Sequence, residues 1–286
     1  MIWLLLACTE PEPEWVKEEP LPVLHFSAIP DQNTTLLQQK FEPVAEYLSN
    51  TLGVPVVYVP AADYSASVEM FKNGDIELAW FGGLTGVQAR AAVPGSKAVV
   101  QGAEDPKYYS YFIANTESGL EPGPDFPMGV ASTSFAFGSE SSTSGRLMPE
   151  YFIRQASGES PKEFFEKPFA FSGAHDKTAK MVESGAVQAG VLSYTTWDRM
   201  VAEGGLDPSK VQVIWKTPEY ADYNFSLRPG LDAQFGVGFE TKLQASLLAM
   251  EDPVLLRAFA RSALIPAKNE DFARIEEVAR ELDMLR

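Results

Sequence analysis

From Val23 onward the hydrophobic residues switch repeatedly between the two-residue period of a strand and the 3.6-residue period of a helix. Residues 23–29 alternate as a strand and stop at Pro30 and Asp31. Thr34 or Thr35 then opens a helix whose apolar positions, from Leu37 and Phe41 to Leu48 and Leu52, recur every three or four residues until Gly53. The β-branched run 54–59 has the composition of a buried parallel strand. The cycle repeats with a helix over 65–71, a strand over 76–81 and a helix opened by Gly82, Gly83 and Gly86. Strands over 98–101 and 108–114 follow. Such alternation predicts an α/β sheet covered by helices on both faces, with ligand contacts at the loops beyond the strand ends.

A Gly- and Pro-rich stretch, 119–127, reads as a lobe boundary, and residues 128–131 begin a second α/β set. That set holds strands over 189–192 and 211–215, and after Tyr220 and Asp222 the chain is expected to return to the first lobe. A length of 286 residues with 45 % hydrophobic content is enough for two lobes with a true core. The balance of 39 acidic to 23 basic residues, a net charge of -16 without any basic run, excludes a nucleic-acid partner. Any bound anion must therefore be held by local, oriented dipoles rather than by the global field.

Cys8 is the one cysteine, so no disulfide forms within the chain. It closes the run Leu4, Leu5, Leu6, Ala7, Cys8, which resembles a bacterial lipoprotein signal in which Cys8 is lipidated. Residues 1–8 are short for such a signal and lack a basic start, so the expectation is a natural start upstream of Met1. Residues 9–22, rich in Glu and Pro, read as an extended tether of roughly 40 Å between a membrane anchor and the folded body.

Ser141, Ser142, Thr143, Ser144 and Gly145 lie directly before a helical pattern. Hydroxyls at a helix start cap free N–H groups, and the remaining N–H groups carry partial positive charge, which suits a phosphate-like anion. A solvated helix cap explains the same residues. Pro149 removes an N–H and clashes with the carbonyl of Gly145 in a continuous helix. Either residues 142–147 form a separate turn and the regular helix starts near Pro149, or one early helix is kinked.

Three motifs in fixed order complete the pattern: Leu52, Gly53, Val54, Pro55, Val56; then Gly74 through Trp80; then Ser142 to Gly145 paired with Gly173, Ala174, His175 and Asp176. Together they resemble the phosphate-, phosphite- and phosphonate-binding proteins of bacterial ABC importers, including the subgroup described as selenate-binding. The resemblance implies a two-lobed α/β fold, the type II periplasmic-binding-protein fold, with ligand in the interlobe cleft. It implies one lobe from residues 23–112 plus 225–286 and another from 113–224. It further implies a monomeric, extracytoplasmic receptor without cofactor that passes a tetrahedral oxyanion, phosphonate, phosphite, phosphate or selenate, to an ABC permease. Ser142, Thr143 and Ser144 are expected to hold the anion, helped by Tyr64 and His175. Asp222 is expected to meet protons or an amine on the ligand.

Other residues have two readings each. His175 can donate an imidazole N–H at a helix start that Asp176 favours electrostatically, or it is a satisfied core histidine. Tyr109, like Tyr64, is a neutral donor or a half-buried core tyrosine. Trp80 and Phe81 are a cleft wall or core, and Asp31 lines the cleft or merely follows Pro30 in a turn. Glu104 and Asp105 read as solvated surface. Enzymes fare badly: two histidines offer no zinc spacing, Gly138 to Ser142 is no nucleophile elbow, and no P-loop lysine follows Gly83. The competing functions are a sensing module for a membrane signalling partner and a receptor for another small anion such as a carboxylate.

Overall fold

The computed structural model describes residues 21–285, so Cys8 and most of the tether lie outside it. In chain order the first strands and helices are β1 (Leu24–Ala28), α1 (Thr34–Leu52), β2 (Val56–Tyr58), α2 (Tyr64–Asn73), β3 (Leu78–Phe81), α3 (Gly83–Ala92) and β4 (Lys97–Gly102). Next come β5 (Ser110–Asn115), β6 (Phe135–Phe137), a π-type turn over Thr143–Leu147, α4 (Met148–Ser157), α5 (Pro161–Phe164) and β7 (Ala170–Phe171). The second half continues through α6 (His175–Glu183), β8 (Ala189–Ser193), α7 (Tyr194–Ala202) and β9 (Val211–Lys216). The chain ends with β10 (Asn224–Leu227), α8 (Leu231–Phe235), α9 (Phe239–Leu248), α10 (Pro253–Phe259), β11 (Leu264–Pro266) and α11 (Ala273–Glu281).

These strands build two sheets, and each sheet is the floor of one lobe. The first has the order β11-β4-β10-β3-β1-β2 and the second β7-β6-β8-β5-β9. In the first, β1 runs parallel to β2 and β3, while β10 inserts antiparallel between β3 and β4. In the second, β6 runs parallel to β7 and β8, and β5 lies antiparallel to β8 and β9. The chain crosses between the sheets over residues 103–109 and again over 217–223. Tyr108 and Tyr220 join the two crossings by exchanging N–H···O=C bonds of 2.9 Å each way.

The helix signals act as the periodicity predicts, with local differences. The cap of α1 is Asn33 rather than Thr34 or Thr35, its Oδ1 accepting from the Thr35 and Leu36 N–H groups at 3.0 and 3.2 Å. Asn is as good a cap as Thr, and the residue nearer the preceding turn takes the role. Gly53 ends α1 with φ of 75°, the left-handed conformation that suits glycine. Leu37, Phe41, Val44 and Leu48 bury the inner stripe of α1, and Phe41 meets Phe26 of β1 edge to face at 5.4 Å.

Four expectations give way. The run 54–59 is an edge strand, not a doubly buried one, and Val57 is 46 % exposed. The Gly- and Pro-rich stretch 119–127 lies inside the second lobe, because β5 before it is already paired with β8 and β9. Its Gly123 N–H and Pro124 carbonyl bond Ile214 and the Trp215 indole instead. Turn residues mark a change of direction and carry no information about which sheet follows. Residues 128–131 form a 3₁₀ turn, and the strand starts only at Phe135. Asp105 is fully buried, against the surface reading of Glu104 and Asp105.

Candidate functional site

The Ser-rich turn settles the Pro149 question in favour of a separate turn. Thr143–Leu147 closes with i to i+5 bonds, Leu147 N–H to Ser142 C=O and Met148 N–H to Thr143 C=O, and the regular helix α4 starts at Met148 with Pro149 in its first turn. The Gly145 carbonyl that Pro149 leaves without a helical donor accepts the Gly138 N–H at 2.8 Å instead. Glycine is required at both ends of that bond: a Cβ on Gly145 would lie 3.0 Å from Gly138 Cα. The Ser142 side chain caps the turn by accepting the Gly145 N–H at 2.9 Å. The first N–H groups of the turn, at Thr143 and Ser144, have no helical acceptor.

The first lobe meets this turn with the start of α3. The Leu84 N–H donates to Thr143 Oγ1 at 2.9 Å, and the Gly83 N–H donates to Asp222 Oδ1 at 2.9 Å. An added Cβ on Gly82 would sit 3.2 Å from Thr143 Oγ1 and 3.3 Å from Asp222 Oδ1, so Gly82 is what lets the helix start come this close. Asp222 Oδ2 is buried and has no hydrogen-bond partner among the described residues. Burial pushes the Asp222 carboxyl up to about 7, opposed in part by its hydrogen bonds to Gly83 and the neighbouring Thr143 hydroxyl.

Tyr64, the first residue of α2, points its hydroxyl into the same buried space beside Ser142, and that oxygen also lacks a hydrogen-bond partner. Burial raises the phenol well above its ordinary range, so it is a neutral donor. His175, the first residue of α6, is fully buried. Its Nδ1 accepts the Ser193 N–H at 3.4 Å, which leaves the proton on Nε2, 3.4 Å from Ser144 Oγ. Burial lowers the imidazole to about 4, so this ring too is a neutral donor at physiological pH. Tyr64, Ser142, Thr143, Ser144, His175 and Asp222 therefore come together from α2, the π-type turn, α6 and the second crossing.

The four weaker candidates make other contacts. Asp31 accepts the Tyr223 hydroxyl at 2.9 Å. It borders a neighbouring cavity of about 20 Å³, lined also by Lys40, Trp80, Arg199 and Tyr223. Burial raises its carboxyl. Trp80 is core, stacked on Tyr223 at 5.6 Å and meeting the Phe259 ring at 5.1 Å, and Phe81 packs on Phe71. Tyr109 stacks on Tyr194 at 4.0 Å with the Lys216 ammonium over its ring. Both carboxylate oxygens of Asp176 are occupied by backbone donors, Oδ1 by Lys177 N–H and Oδ2 by Asn33 N–H.

The sequence reading missed three parts of this region. Tyr108, not Tyr109, faces inward: it shares the parity of Ser110 and Phe112, which are buried on β5. Tyr223 bridges Asp31 and the crossing. Asp105 and Arg261 form a fully buried pair at 2.6 Å that locks the two crossings to the start of β11. Only the strand parity of Tyr108 was visible beforehand.

Comparison with known proteins identifies the family. A family model described as ABC transporter, phosphonate, periplasmic substrate-binding protein matches residues 26–272. A relative from Prochlorococcus marinus, the probable ABC transporter phosphite binding protein PhnD1, is 38 % identical over 271 residues, 92 % of this chain and 91 % of the relative. The phosphate-import protein PhnD of Mycolicibacterium smegmatis is 28 % identical, covering 80 % of this chain and 74 % of its own. The solved structure of Prochlorococcus PhnD1 in complex with methylphosphonate superposes with a TM-score of 0.87, covering 91 % of this chain and 98 % of that one.

Proposed function

Because the chain belongs to the family of phosphonate ABC transporter periplasmic substrate-binding proteins, we propose that it captures a phosphite- or methylphosphonate-sized oxyanion on the Ser142–Gly145 turn. Members of this family act outside the cytoplasm, bind their ligand without transforming it and deliver it to an ABC permease. The observation that carries the ligand reading is the pair of buried, unpartnered oxygens, Tyr64 Oη and Asp222 Oδ2, beside a turn with open N–H groups. Buried polar atoms normally have partners, and a bound oxyanion would supply both.

The donors around that space are all neutral. Ser142 already accepts a backbone N–H, which frees its hydroxyl proton for the anion, while Thr143, whose hydroxyl also meets Asp222, offers its backbone N–H at the start of the turn. Tyr64 adds another hydroxyl, and Ser144, whose oxygen faces the His175 Nε2–H at 3.4 Å, a further one. Asp222 is the exception, and it sets the selectivity. A phosphorus oxyanion can share its P–OH proton with this carboxyl, whose pKa of about 7 makes either partner a competent donor near neutrality. Sulfate and selenate have no such proton and meet a bare, partly ionised carboxylate. An ammonium substituent is disfavoured as well, because Lys40 and Arg199 stand around the neighbouring Asp31.

In this reading the lobes hinge at residues 103–109 and 217–223, and the protein works as a monomer. The anchor on Cys8 is part of the same reading, supported by the apolar run before it and the Pro-rich tether after it. Calorimetric titration with phosphite, methylphosphonate, phosphate, aminoethylphosphonate, sulfate and selenate tests the ligand. Tightest binding is expected for phosphite or methylphosphonate and none for sulfate; failure to bind any of the six at millimolar concentration would end the proposal. Release of the protein from membranes by Cys8→Ala tests the anchor.

A further inference from the structure

Asp176 belongs to neither the ligand shell nor the core, yet it joins the lobes. Its Oδ2 accepts the Asn33 N–H at 3.1 Å across 143 residues of chain, while its Oδ1 accepts the Lys177 N–H of its own helix at 2.8 Å. Asn33 is the cap of α1 in the first lobe, and Asp176 is in the first turn of α6 in the second. One step away the His175 N–H donates to the Asp31 carbonyl at 3.1 Å, so the β1–α1 loop and the start of α6 are fastened twice. Two helix N-termini thus meet head to head, each carrying partial positive charge that opposes the contact. A carboxylate shared between them converts that repulsion into attraction.

We propose that Asp176 is a closure latch, a positioning residue that stabilises the closed arrangement of the lobes without touching the ligand. Opening the cleft breaks only its bond to Asn33; the bond within α6 stays. Its contribution is therefore selective for the closed form, and observed affinity scales with the closed population. A charge-assisted hydrogen bond at a partly exposed site supports about a tenfold effect. That effect falls on dissociation, which requires opening. His175 and Asp31 keep their backbone bond in every Asp176 variant, so the site itself is left assembled.

The inference rests on the proposed function for the hinge between the lobes and for its probe, methylphosphonate. In the mature protein, Asp176→Ala is expected to speed methylphosphonate dissociation about tenfold in stopped flow with an unchanged association rate. It is also expected to enlarge the radius of gyration of the ligand-free protein in X-ray scattering. Asp176→Asn, whose side-chain carbonyl still accepts the Asn33 N–H, should recover part of both. A merely structural cap of α6 would lower the thermal midpoint in Asp176→Ala while dissociation and scattering stay as in the unmodified protein, and that result overturns the latch. If methylphosphonate fails to bind the unmodified protein, the ligand reading falls, and the ligand-free scattering of the two proteins alone decides the latch: equal curves refute it.

Discussion

Asp105 and Asp222 sit on the two segments that cross between the lobes, and both are buried, yet their carboxylates are treated in opposite ways. Asp105 has every lone-pair direction filled: Arg261 Nη2 at 2.6 Å and Tyr223 N–H at 3.2 Å on one oxygen, Gly102 N–H at 2.7 Å and Arg261 Nε at 2.9 Å on the other. Asp222 has donors on one oxygen only, the Gly83 N–H and the neighbouring Thr143 hydroxyl, and a second oxygen with none among the described residues. A buried carboxylate with all its partners is structural, since it holds three separate chain segments in one place. A buried carboxylate with half of them keeps an oxygen open to a further donor. Burial alone does not distinguish the two roles; completeness of the hydrogen bonding does.

The largest effect expected from this contrast is on folding. Asp105→Ala strands the Arg261 guanidinium in the interior and should cost about 3 to 5 kcal/mol of stability in urea unfolding. Adding Arg261→Met should recover much of it. A loss below about 1 kcal/mol for the single variant would erase the distinction between the two carboxylates.

The next effect is on binding. Asp222→Asn should weaken methylphosphonate by about ten- to a hundredfold, because the amide cannot share the ligand proton, and narrow the preference over sulfate, to which the amide can donate. Its stability should move the other way. The folded pKa of Asp222, about 7, lies above the ordinary carboxyl value of 3.8, so the native state holds more protons and stability falls as pH rises between these values. His175 does the reverse: with a folded value of about 4 against 6.5, its contribution is present above 6.5 and lost as pH falls toward 4. Unfolding at pH 5 and pH 7.5 should therefore show Asp222→Asn gaining on the unmodified protein as pH rises. An unchanged difference would place Asp222 in a solvated setting.

Tyr64→Phe removes a hydroxyl with no partner among the described residues, so the thermal midpoint should hold while methylphosphonate affinity drops by about 1 kcal/mol. Equal losses in both would make Tyr64 a core residue. The smallest effect belongs to Tyr109→Phe: its ring stacks on Tyr194 outside this set, and binding should change by less than about 0.5 kcal/mol.

Much of the scaffold was legible beforehand because its signals are local. The stops at Gly53 and Gly74, the apolar stripe of α1 and the Ser-rich cap each depend on residues within a turn or two. Even the disruption by Pro149 was legible as a choice between two local shapes. The edge position of β2 was not, since a β-branched run has the same composition at the centre or the rim of a sheet. Nor was the lobe assignment of 119–127, since pairing of β5 with β8 and β9 is set by strands 60 to 100 residues away.

By itself the sequence determined the class of fold, the charge-free character of the Ser-rich turn and the family. Tertiary structure alone decided which carboxylate is spent and which is open. The Gly83 donor of Asp222 lies 139 residues away and the Arg261 partner of Asp105 lies 156 away. Periodicity and capping report on a few consecutive residues, whereas whether a buried oxygen finds its donor depends on how two sheets bring remote helix starts together.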